Sequence, residues 1–318
     1  MTTASDFSNP GFTHELLLHD SLEEMLAFVL PFVRNGVAAQ ETTLLMVRPE
    51  TAATVLPMVR PSAYVNVLPA LGWSGRPAEG LRAAQRLLAD YGPEVPRVRM
   101  FNEEPIVPEG HWHEWRRLEA AVNAALGRSR AWLVCSYDCR ALDNDRVADL
   151  RAIHQFVGQG DQHRNSDEYQ DPRGFVAENF NAPLDPVEMT TPAAELVNPS
   201  QSTARAAVLG FAHHGGLPAL ETENLVLAVS EAVGNARQHG RPPVVMRLWV
   251  QPERITVTIT DTGPGPTDPF VGLLPPDHRH GSGLGLWLSH QLVDIAHRRH
   301  SDGYTACLSI SYPRTGQR

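Results

Sequence analysis

Three short patterns follow one another in a fixed order between residues 225 and 286, and they limit what the second half of the chain can fold into. Residues 225–239 read LVLAVSEAVGNARQH, residues 260–265 read TDTGPG, and residues 280–286 read HGSGLGL. They describe a helix with a carboxylate and an amide on one face, a strand ending in Asp-x-Gly-x-Gly, and a glycine-rich loop that opens a second helix. Such loops bind phosphate groups through backbone N–H groups. The three patterns together therefore predict a nucleotide-binding site.

The first pattern predicts a helix that runs from a cap at Thr222 to about Gln238, with a buried apolar stripe. The stripe consists of Leu225, Val229, Ala232, Val233 and Ala236. Glu231, Asn235 and His239 recur every fourth residue and so line one edge of this helix. Asn235 can hold Mg²⁺, while Glu231 orients or deprotonates an acceptor hydroxyl beside a γ-phosphate. Taken alone, the three residues fit better the polar, solvent-facing side of an amphipathic helix, and only the two later patterns favour a site.

The second pattern ends a predicted strand, RITVTITD at 254–261, in which apolar residues alternate with others. Asp261 has the same parity as Val257 and Ile259, so we expect its carboxylate to point to the core side of the sheet. A buried carboxylate needs a hydrogen-bond donor, and an adenine amino group is a suitable one. Side chains at Gly263 or Gly265 would obstruct a base or force unfavourable backbone angles. A tight turn with a stray aspartate is the alternative for this motif alone.

In the third pattern, Gly281, Gly283 and Gly285 alternate with larger residues before a predicted helix. Backbone N–H groups at such a helix start can bind phosphate oxygens. A flexible loop leading into a helix would look the same, but the three patterns in this order are far more restrictive than any one of them. The residues expected to pack this helix on the sheet are Leu284, Leu288, Leu292 and Ile295.

With these motifs, residues 200–318 resemble the GHKL ATPase fold that is shared by gyrase, Hsp90, histidine kinases and the Ser/Thr kinases that act as anti-sigma factors. The resemblance implies an α+β sandwich, with an antiparallel or mixed sheet backed by helices, that binds ATP and Mg²⁺. It implies that Asn235 holds Mg²⁺, that Asp261 reads adenine, and that the glycines shape a lid over the phosphates. The matching positions are Glu231 and Asn235 of the N box, Asp261, Gly263 and Gly265 of the G1 box, and Gly281, Gly283 and Gly285 of the G2 box.

The segment before the N box separates the branches of that fold. A histidine kinase needs a phosphoacceptor histidine on a dimerisation hairpin, but His213 and His214 are followed by Gly-Gly-Leu-Pro, which breaks such a helix. The short preceding helix, the wording AVSEAVGNARQHG and GLGLWLSHQLVDI, and a lid of about 15 residues at 266–280 resemble the anti-sigma-factor kinase branch. The resemblance implies Glu231 as the base. Arg279, in the lid, is a candidate contact for the γ-phosphate.

The first half of the chain alternates between amphipathic helices and short, continuously apolar strands. This alternation predicts an α/β domain with a mostly parallel sheet that is covered on both faces. No GxxxxGK[ST] motif is present, so the domain has no P-loop of its own. Polar residues beyond the carboxyl ends of the strands are candidates for ligand binding, although acidic loop residues are more often simply solvated. These candidates are Asn102, Glu103, Glu104, Asp138 and Arg140.

Residues 11–170 resemble the MEDS sensory domain, named from methanogens, methylotrophs and a dichloromethane-response regulator. The resemblance lies in THELLLHDSLEEMLAFVLPFVRNGV, the LLMV strand that follows it, and AWLVCSYD. It implies a signal-receiving α/β domain, related to RecA-like folds, that binds a small organic ligand. Joined to the second half, the whole chain resembles the RsbA-type anti-sigma regulatory proteins. That likeness implies a sigma factor and a STAS-type antagonist as partners, and a homodimer.

The composition of the chain predicts its domain boundaries and its cellular location. We expect a sensory domain at 1–180, a linker at 181–200 that is rich in Pro, Asn, Asp and Thr, and an ATP-binding domain at 201–318. The formal net charge of -9 argues against direct binding to nucleic acid or to anionic membranes. With no apolar run of about 18 residues and no signal sequence, the expected location is the cytoplasm. All 27 basic residues are arginine, which excludes a catalytic lysine.

The three cysteines, Cys135, Cys139 and Cys307, are an odd set for a cytoplasmic protein, so no structural disulfide is expected. Cys135 and Cys307 lie in apolar runs and are predicted to be buried on strands. A metal site that joins Cys135 and Cys139 to His111 and His113 can be written down, but its spacing matches no established zinc pattern.

Three functions remain open from the sequence. The first is an ATP-dependent regulator that sequesters a sigma factor or phosphorylates a Ser/Thr of a STAS-type antagonist, under the control of the N-terminal domain. The second is a nucleotide-dependent binding switch that catalyses nothing. The third is a sensor histidine kinase that would phosphorylate itself on His213 or His214.

Overall fold

The computed structural model describes residues 11–59, 62–69, 77–92, 95–275 and 283–312. The chain divides into two compact units, residues 1–175 and 176–318. No helix in the described ranges combines the length and the apolar character that a membrane span requires.

Strands and helices alternate along the first unit. The strands are β1 (Thr13–His19), β2 (Thr42–Val47), β3 (Val65–Pro69), β4 (Val98–Glu103), β5 (Ala131–Asp138), β6 (Phe156–Gln159) and β7 (Gln162–Asn165). The helices are α1 (Leu22–Ala38), α2 (Pro49–Val55), α3 (Pro77–Ala89), α4 (Trp112–Leu126) and α5 (Asn144–Ile153), and α6 (Pro172–Glu178) crosses into the second unit. The seven strands form one sheet in the order β3-β2-β4-β5-β1-β6-β7. Every neighbouring pair is parallel except β6 and β7, which confirms the predicted mostly parallel α/β domain.

The apolar strands form because both faces of this sheet are covered. Seven of the eight residues of β5 are buried, and so are all of β2 except Thr42. The start of α1 also follows from its sequence, since the Ser21 hydroxyl accepts a hydrogen bond from the backbone N–H of Glu24 at 3.3 Å. The predicted strands and helices of the first unit are therefore present, with shifts of a few residues at their ends.

Two elements of the first unit differ from what the sequence pattern predicts. β1 lies between β5 and β6 in the middle of the sheet, although no strand is expected there. Its His14 and Glu15 are fully buried in polar contacts, and these polar residues hide the strand pattern. The pattern of residues 146–156 also predicts a helix that continues to Phe156, but α5 ends at Ile153 and Phe156 begins β6.

The second unit is a sheet backed by helices. Its elements are β8 (Ala194–Val197), α7 (Gln201–Gly215), α8 (Ala219–His239), β9 (Val245–Gln251), β10 (Arg254–Asp261), α9 (Leu284–Leu292), β11 (Asp294–His300) and β12 (Gly303–Ser311). The five strands are antiparallel in the order β11-β12-β10-β9-β8. The predicted α+β fold with helices on an antiparallel sheet is confirmed.

The core of the second unit lies between α7, α8 and one face of this sheet. The apolar stripe predicted on α8 is buried along its whole length, from Leu225 to Ala236. It packs with Val208 and Ala212 of α7 and with Val257 of β10, which are fully buried. This packing fixes the face of α8 that carries Glu231 and Asn235 relative to the end of β10.

Two local predictions in the second unit are wrong. Thr222 does not cap α8: the cap is Pro218, and the Thr222 hydroxyl donates back to the carbonyl oxygens of Leu217 and Pro218. The stripe expected to pack α9 is not buried as expected, because Leu284 is 53% exposed and Leu288 37% exposed. The helix ends at Leu292, and Ile295 lies on β11, a strand that the sequence pattern does not indicate.

Residues 181–200, expected to be a linker, lie within the second unit and carry structure of their own. Asp185 and Glu188 form a capping box around a short 3-10 turn, Pro186–Met189. Arg298 of β11 donates to the Glu188 carboxylate, and β8 pairs with β9 at the edge of the sheet. The Pro, Asp and Asn residues of this stretch supply turns and caps in a packed segment.

Candidate nucleotide-binding site

The carboxylate of Asp261 is the most constrained polar group at this site. It lies at the end of β10 and is 4% exposed, as the parity of the strand predicts. Its Oδ1 atom accepts hydrogen bonds from the backbone N–H groups of Gly263 at 2.7 Å and Arg241 at 3.2 Å. In the described part of the chain, Oδ2 has no hydrogen-bond partner. Two fixed donors thus orient the carboxylate and leave one oxygen for a ligand donor.

The end of α8 packs directly on Asp261 through Gly240, a residue that the motif patterns do not single out. A Cβ atom at Gly240 would lie 2.4 Å from Asp261 Cγ and 2.5 Å from the carbonyl oxygen of Ala236. Only glycine fits there, and Gly240 also caps α8 by donating to that carbonyl. A glycine directly after a helix is a C-cap signal, so the sequence could have revealed this contact. It joins the helix of the first motif to the strand of the second.

The two glycines after Asp261 are required for different reasons. A Cβ atom at Gly263 would fall 2.7 Å from Asp261 Oδ1 and would displace the hydrogen bond that orients it. Gly265 adopts a φ of +72°, and a Cβ atom there would lie 2.5 Å from the Tyr304 ring. The turn therefore needs small residues for packing as well as for backbone conformation.

Glu231 of α8 meets the start of α9 at Gly285. A Cβ atom at Gly285 would lie 2.0 Å from Glu231 Oε2 and 2.8 Å from its Cδ. The first and third motifs, 54 residues apart in the chain, are thus in contact. Glu231 and Asn235 are both partly buried, one turn apart on α8. Within the described ranges neither side chain has a hydrogen-bond partner, so both offer oxygen atoms of the kind that Mg²⁺ prefers.

Gly283 forms the N-cap of α9 with a φ of +100°, and its carbonyl oxygen accepts from the N–H of Trp287 at 3.1 Å. The first turn of α9 thus starts at the third motif, where helix N–H groups can face an anion. Two residues predicted for the site, Arg279 and Gly281, lie outside the described residues.

A buried polar chain that the sequence pattern does not indicate runs beneath this turn. His290 of α9 and His297 of β11 place their Nε2 atoms 3.1 Å apart, and His297 Nδ1 lies 2.5 Å from the Tyr304 hydroxyl. The Tyr304 ring in turn lies against Gly265, while Gly272 packs on the His290 ring. His297 lies on the unpredicted β11, so its inward orientation could not be anticipated. These hydrogen-bonded side chains connect α9 to the turn after Asp261.

The polar residues predicted at the strand ends of the first unit fall into two groups. Arg140 donates two hydrogen bonds to Asp138, at 2.8 and 2.6 Å, and thereby lowers the pKa of Asp138 to about 2. Arg48 likewise donates from Nε to Glu103 at 2.6 Å. These groups are engaged in ion pairs within the unit. Asn102 and Glu104 instead hydrogen-bond to each other, and burial together with Glu119 raises the pKa of Glu104.

All three cysteines are free thiols, and Cys135 and Cys307 are buried on strands as predicted. Among the described residues, Cys135 is grouped with His14, Glu119 and His154, and not with the residues that the sequence made conceivable as metal ligands. Those residues are Cys139, His111 and His113.

Two family models match the chain, one within each of its compact units. Residues 197–311 match the family model of the histidine kinase-like ATPase domain. Residues 13–155 match the model of the MEDS domain, described as the methanogen/methylotroph, DcmR sensory domain. No curated protein matches the chain significantly.

Two solved histidine kinases are among the structures that resemble the chain. The Erythrobacter litoralis EL346 blue-light activated histidine kinase is 21% identical over 36% of this chain and 42% of its own, with a TM-score of 0.24. The Acinetobacter baumannii histidine kinase AdeS is 13% identical over 38% of this chain and 68% of its own, with a TM-score of 0.24. The chain thus spans less than half the length of the Erythrobacter protein. From the family models, the chain carries a MEDS domain at its N-terminus and a histidine-kinase-like ATPase domain of the GHKL class at its C-terminus.

Proposed function

We propose that the second unit binds Mg·ATP and that Asp261 recognises the adenine amino group. The observation that carries this proposal is the Asp261 carboxylate, which two backbone N–H groups hold in place through Oδ1 while Oδ2 has no partner in the described part of the chain. An exocyclic amine can donate to that oxygen. Gly263 supports the same reading, since a side chain there would displace the carboxylate.

The residues of α8 fit the metal and phosphate end of the same ligand. Asn235 would hold Mg²⁺ through its amide oxygen, and the ion, when bound, would neutralise phosphate charge. Glu231 would accept the proton of a protein hydroxyl that attacks the γ-phosphate, because it lies one turn from Asn235 and against the start of α9. The backbone N–H groups of the first turn of α9, after Gly283, would face the phosphates.

We further propose that the chain is a cytoplasmic regulator of a sigma factor. In this role the ATP-binding unit sequesters the sigma factor or phosphorylates a Ser/Thr of a STAS-type antagonist, and the MEDS domain controls it in response to a small organic ligand. The support is the resemblance of residues 228–240 and 283–295 to anti-sigma-factor kinases. The histidine kinase alternative is less favoured because α7 ends at Gly215, directly after His213 and His214, and packs on α8 in the core of the same unit.

Phosphotransfer from labelled ATP tests the proposed activity. The full chain is incubated with Mg·ATP and candidate STAS-domain antagonists, and we expect an acid-stable phosphoester on the antagonist. Glu231→Gln should bind ATP normally and slow the transfer about 10²- to 10⁴-fold, as expected for loss of a general base. Intact ATP binding without transfer to any antagonist would favour the non-catalytic switch. An acid-labile product on His213 or His214 would identify a histidine kinase instead.

A further inference from the structure

Four side chains with metal-ligating atoms converge in the interior of the first unit. They are His14 on β1, Glu119 on α4, Cys135 on β5 and His154 directly after α5. All four are buried, with at most 4% of the surface exposed. One ligand atom from each lies within 4.8 Å of the others. None of the four belongs to the proposed ATP site, so a role for this cluster is independent of that site.

The hydrogen bonds around the two histidines fix which nitrogen carries the proton. Asn123 Nδ2 donates to the carbonyl oxygen of Ile153 at 3.1 Å, which orients the amide so that its Oδ1 faces His14 Nδ1 at 3.2 Å. His14 Nδ1 is therefore the protonated nitrogen. His154 Nδ1 likewise donates to the carbonyl oxygen of Leu150 at 2.7 Å. In their neutral forms both rings thus direct an Nε2 lone pair into the cluster, as in metal-binding histidines whose other nitrogen is held by an outer hydrogen bond.

Glu119 is oriented in a similar way from the opposite side. The indole N–H of Trp115 donates to the Tyr137 hydroxyl at 2.8 Å, and that hydroxyl donates to Glu119 Oε1 at 2.7 Å. The other carboxylate oxygen, Oε2, faces His14 Nε2 at 3.5 Å and His154 Nε2 at 3.7 Å. Each of these three ligands is therefore held in place by a partner outside the cluster.

With both imidazoles neutral, this arrangement brings acceptors together without enough protons to connect them. His14 Nε2, His154 Nε2 and Glu119 Oε2 all present lone pairs, and the Cys135 thiol supplies a single hydrogen. His154 Nε2 is fully buried and has no hydrogen-bond partner. Buried acceptors that face one another repel unless a metal cation or an added proton lies between them.

Four of the six distances between these atoms are close to those around one tetrahedral ion. With metal–nitrogen and metal–oxygen bonds near 2.0–2.1 Å and a metal–sulfur bond near 2.3 Å, adjacent ligands in a tetrahedron are about 3.3–3.6 Å apart. The Cys135 Sγ atom lies 3.4 Å from His14 Nε2 and 3.8 Å from Glu119 Oε2. The pairs of nitrogen and oxygen at 3.5 and 3.7 Å lie close to the same range. The two remaining pairs lie within 4.8 Å and would close by up to about 1 Å when all four atoms bind one ion.

We propose that His14, Glu119, Cys135 and His154 bind one divalent transition metal ion, and that Zn²⁺ is the ion that best fits this ligand set. One thiolate, two imidazoles and a carboxylate suit zinc in a closed, four-coordinate site. Cys135 binds as the thiolate, and its proton is released to solvent. The ion would connect two central strands and two helices of the MEDS domain, so that occupancy of the site controls the rigidity of the sensory unit.

Metal binding to the full chain, without nucleotide, tests the proposal. The purified chain is stripped with a chelator and titrated with Co²⁺ or Zn²⁺ alone. We expect one ion per chain, a thiolate-to-cobalt charge-transfer band with the intense visible bands of tetrahedral Co²⁺, and displacement of cobalt by Zn²⁺. X-ray absorption of the zinc form should give one sulfur near 2.3 Å and three lighter ligands near 2.0–2.1 Å. Because the wild-type chain is measured, this result does not depend on the folding of any variant.

Substitutions assign the ligands. Cys135→Ser should abolish the charge-transfer band, whereas Cys139→Ser and Cys307→Ser should leave it unchanged. Asn123→Ala, which removes only the partner of His14, should weaken binding about 10- to 100-fold and keep the tetrahedral spectrum. Failure of the folded wild-type chain to bind a stoichiometric ion, a coordination shell without sulfur, or a charge-transfer band that persists in Cys135→Ser would overturn the proposal. None of these outcomes would affect the proposed ATP site, which is measured separately with nucleotide.

Discussion

Gly285 at the start of α9 lies directly against Glu231 of α8, so that a Cβ atom at Gly285 would fall 2.0 Å from the Glu231 Oε2 atom. This contact links the first motif to the third. It determines where the Glu231 carboxylate can lie, because the side chain is confined on that side by backbone alone.

Gly285→Ala should therefore impair phosphotransfer. The added methyl group would push the flexible Glu231 side chain away from its position, and a misplacement of about 1 Å can slow a reaction about 100-fold. We expect a loss of that order in transfer from labelled ATP, with a fall in the free energy of unfolding of about 1–3 kcal/mol at most.

Gly210→Ala in α7 is the matched control. Nothing lies within 4 Å of a Cβ atom at that exposed helical position. The substitution should leave transfer unchanged and raise the free energy of unfolding by about 0.5–1 kcal/mol, because alanine favours the helix. Equal activity of both variants would show that Glu231 is not confined by Gly285.

The Arg298–Glu188 ion pair tests whether residues 181–200 are packed on the second unit. Both side chains are at most 9% exposed, so Glu188→Gln leaves a buried guanidinium without its carboxylate. Loss of one partner of a buried pair costs about 3–5 kcal/mol, and we expect a lower midpoint of thermal unfolding together with faster proteolysis within residues 181–200.

Its control is Glu195→Gln on β8. Glu195 accepts from Arg247 at 2.7 Å, but both side chains are more than 40% exposed. An exposed pair contributes about 0–1 kcal/mol, so this variant should unfold almost as the wild type does. If Glu188→Gln were equally harmless, the Arg298–Glu188 pair would not contribute to holding residues 181–200 on the second unit.

Thiol reactivity should separate Cys307 from Cys139. Burial raises the pKa of Cys307 to about 12, so that at pH 8 only about one thiol in ten thousand is the reactive thiolate. Cys139 is only partly buried. We expect iodoacetamide to modify Cys139 in the native chain and Cys307 only after unfolding, as measured by peptide mass spectrometry. Modification of native Cys307 at the rate of Cys139 would contradict the burial of β12.

Much of the fold and of the site follows from local sequence patterns. The parity of β10 predicts the buried Asp261, and the stripe of α8 predicts the face that packs on the sheet. These predictions succeed because each depends on a single element with one buried face, where the period of the apolar residues decides the orientation.

The remaining features depend on contacts between distant residues. β1 is not recognised because His14 and Glu15 are buried in polar contacts with α4, β5 and β7, which no local pattern reveals. β11 is not recognised because its sequence, DIAHRRH, is charged, although His297 and Arg298 are buried by their partners. The cluster of His14, Glu119, Cys135 and His154 joins residues that are up to 140 positions apart, and no spacing rule could have found it.

ATP binding to the full chain and to Asp261→Asn is the decisive measurement for the proposed nucleotide site. Titration calorimetry in the presence of Mg²⁺ should show one ATP per wild-type chain. Hydrogen bonds to a charged group contribute about 1.5–3 kcal/mol, so Asp261→Asn should weaken ATP binding roughly 10- to 100-fold, while Glu253→Gln, in the exposed turn before β10, should not change it. No ATP binding by the folded wild-type chain, or equal affinity of wild type and Asp261→Asn, would contradict adenine recognition by Asp261.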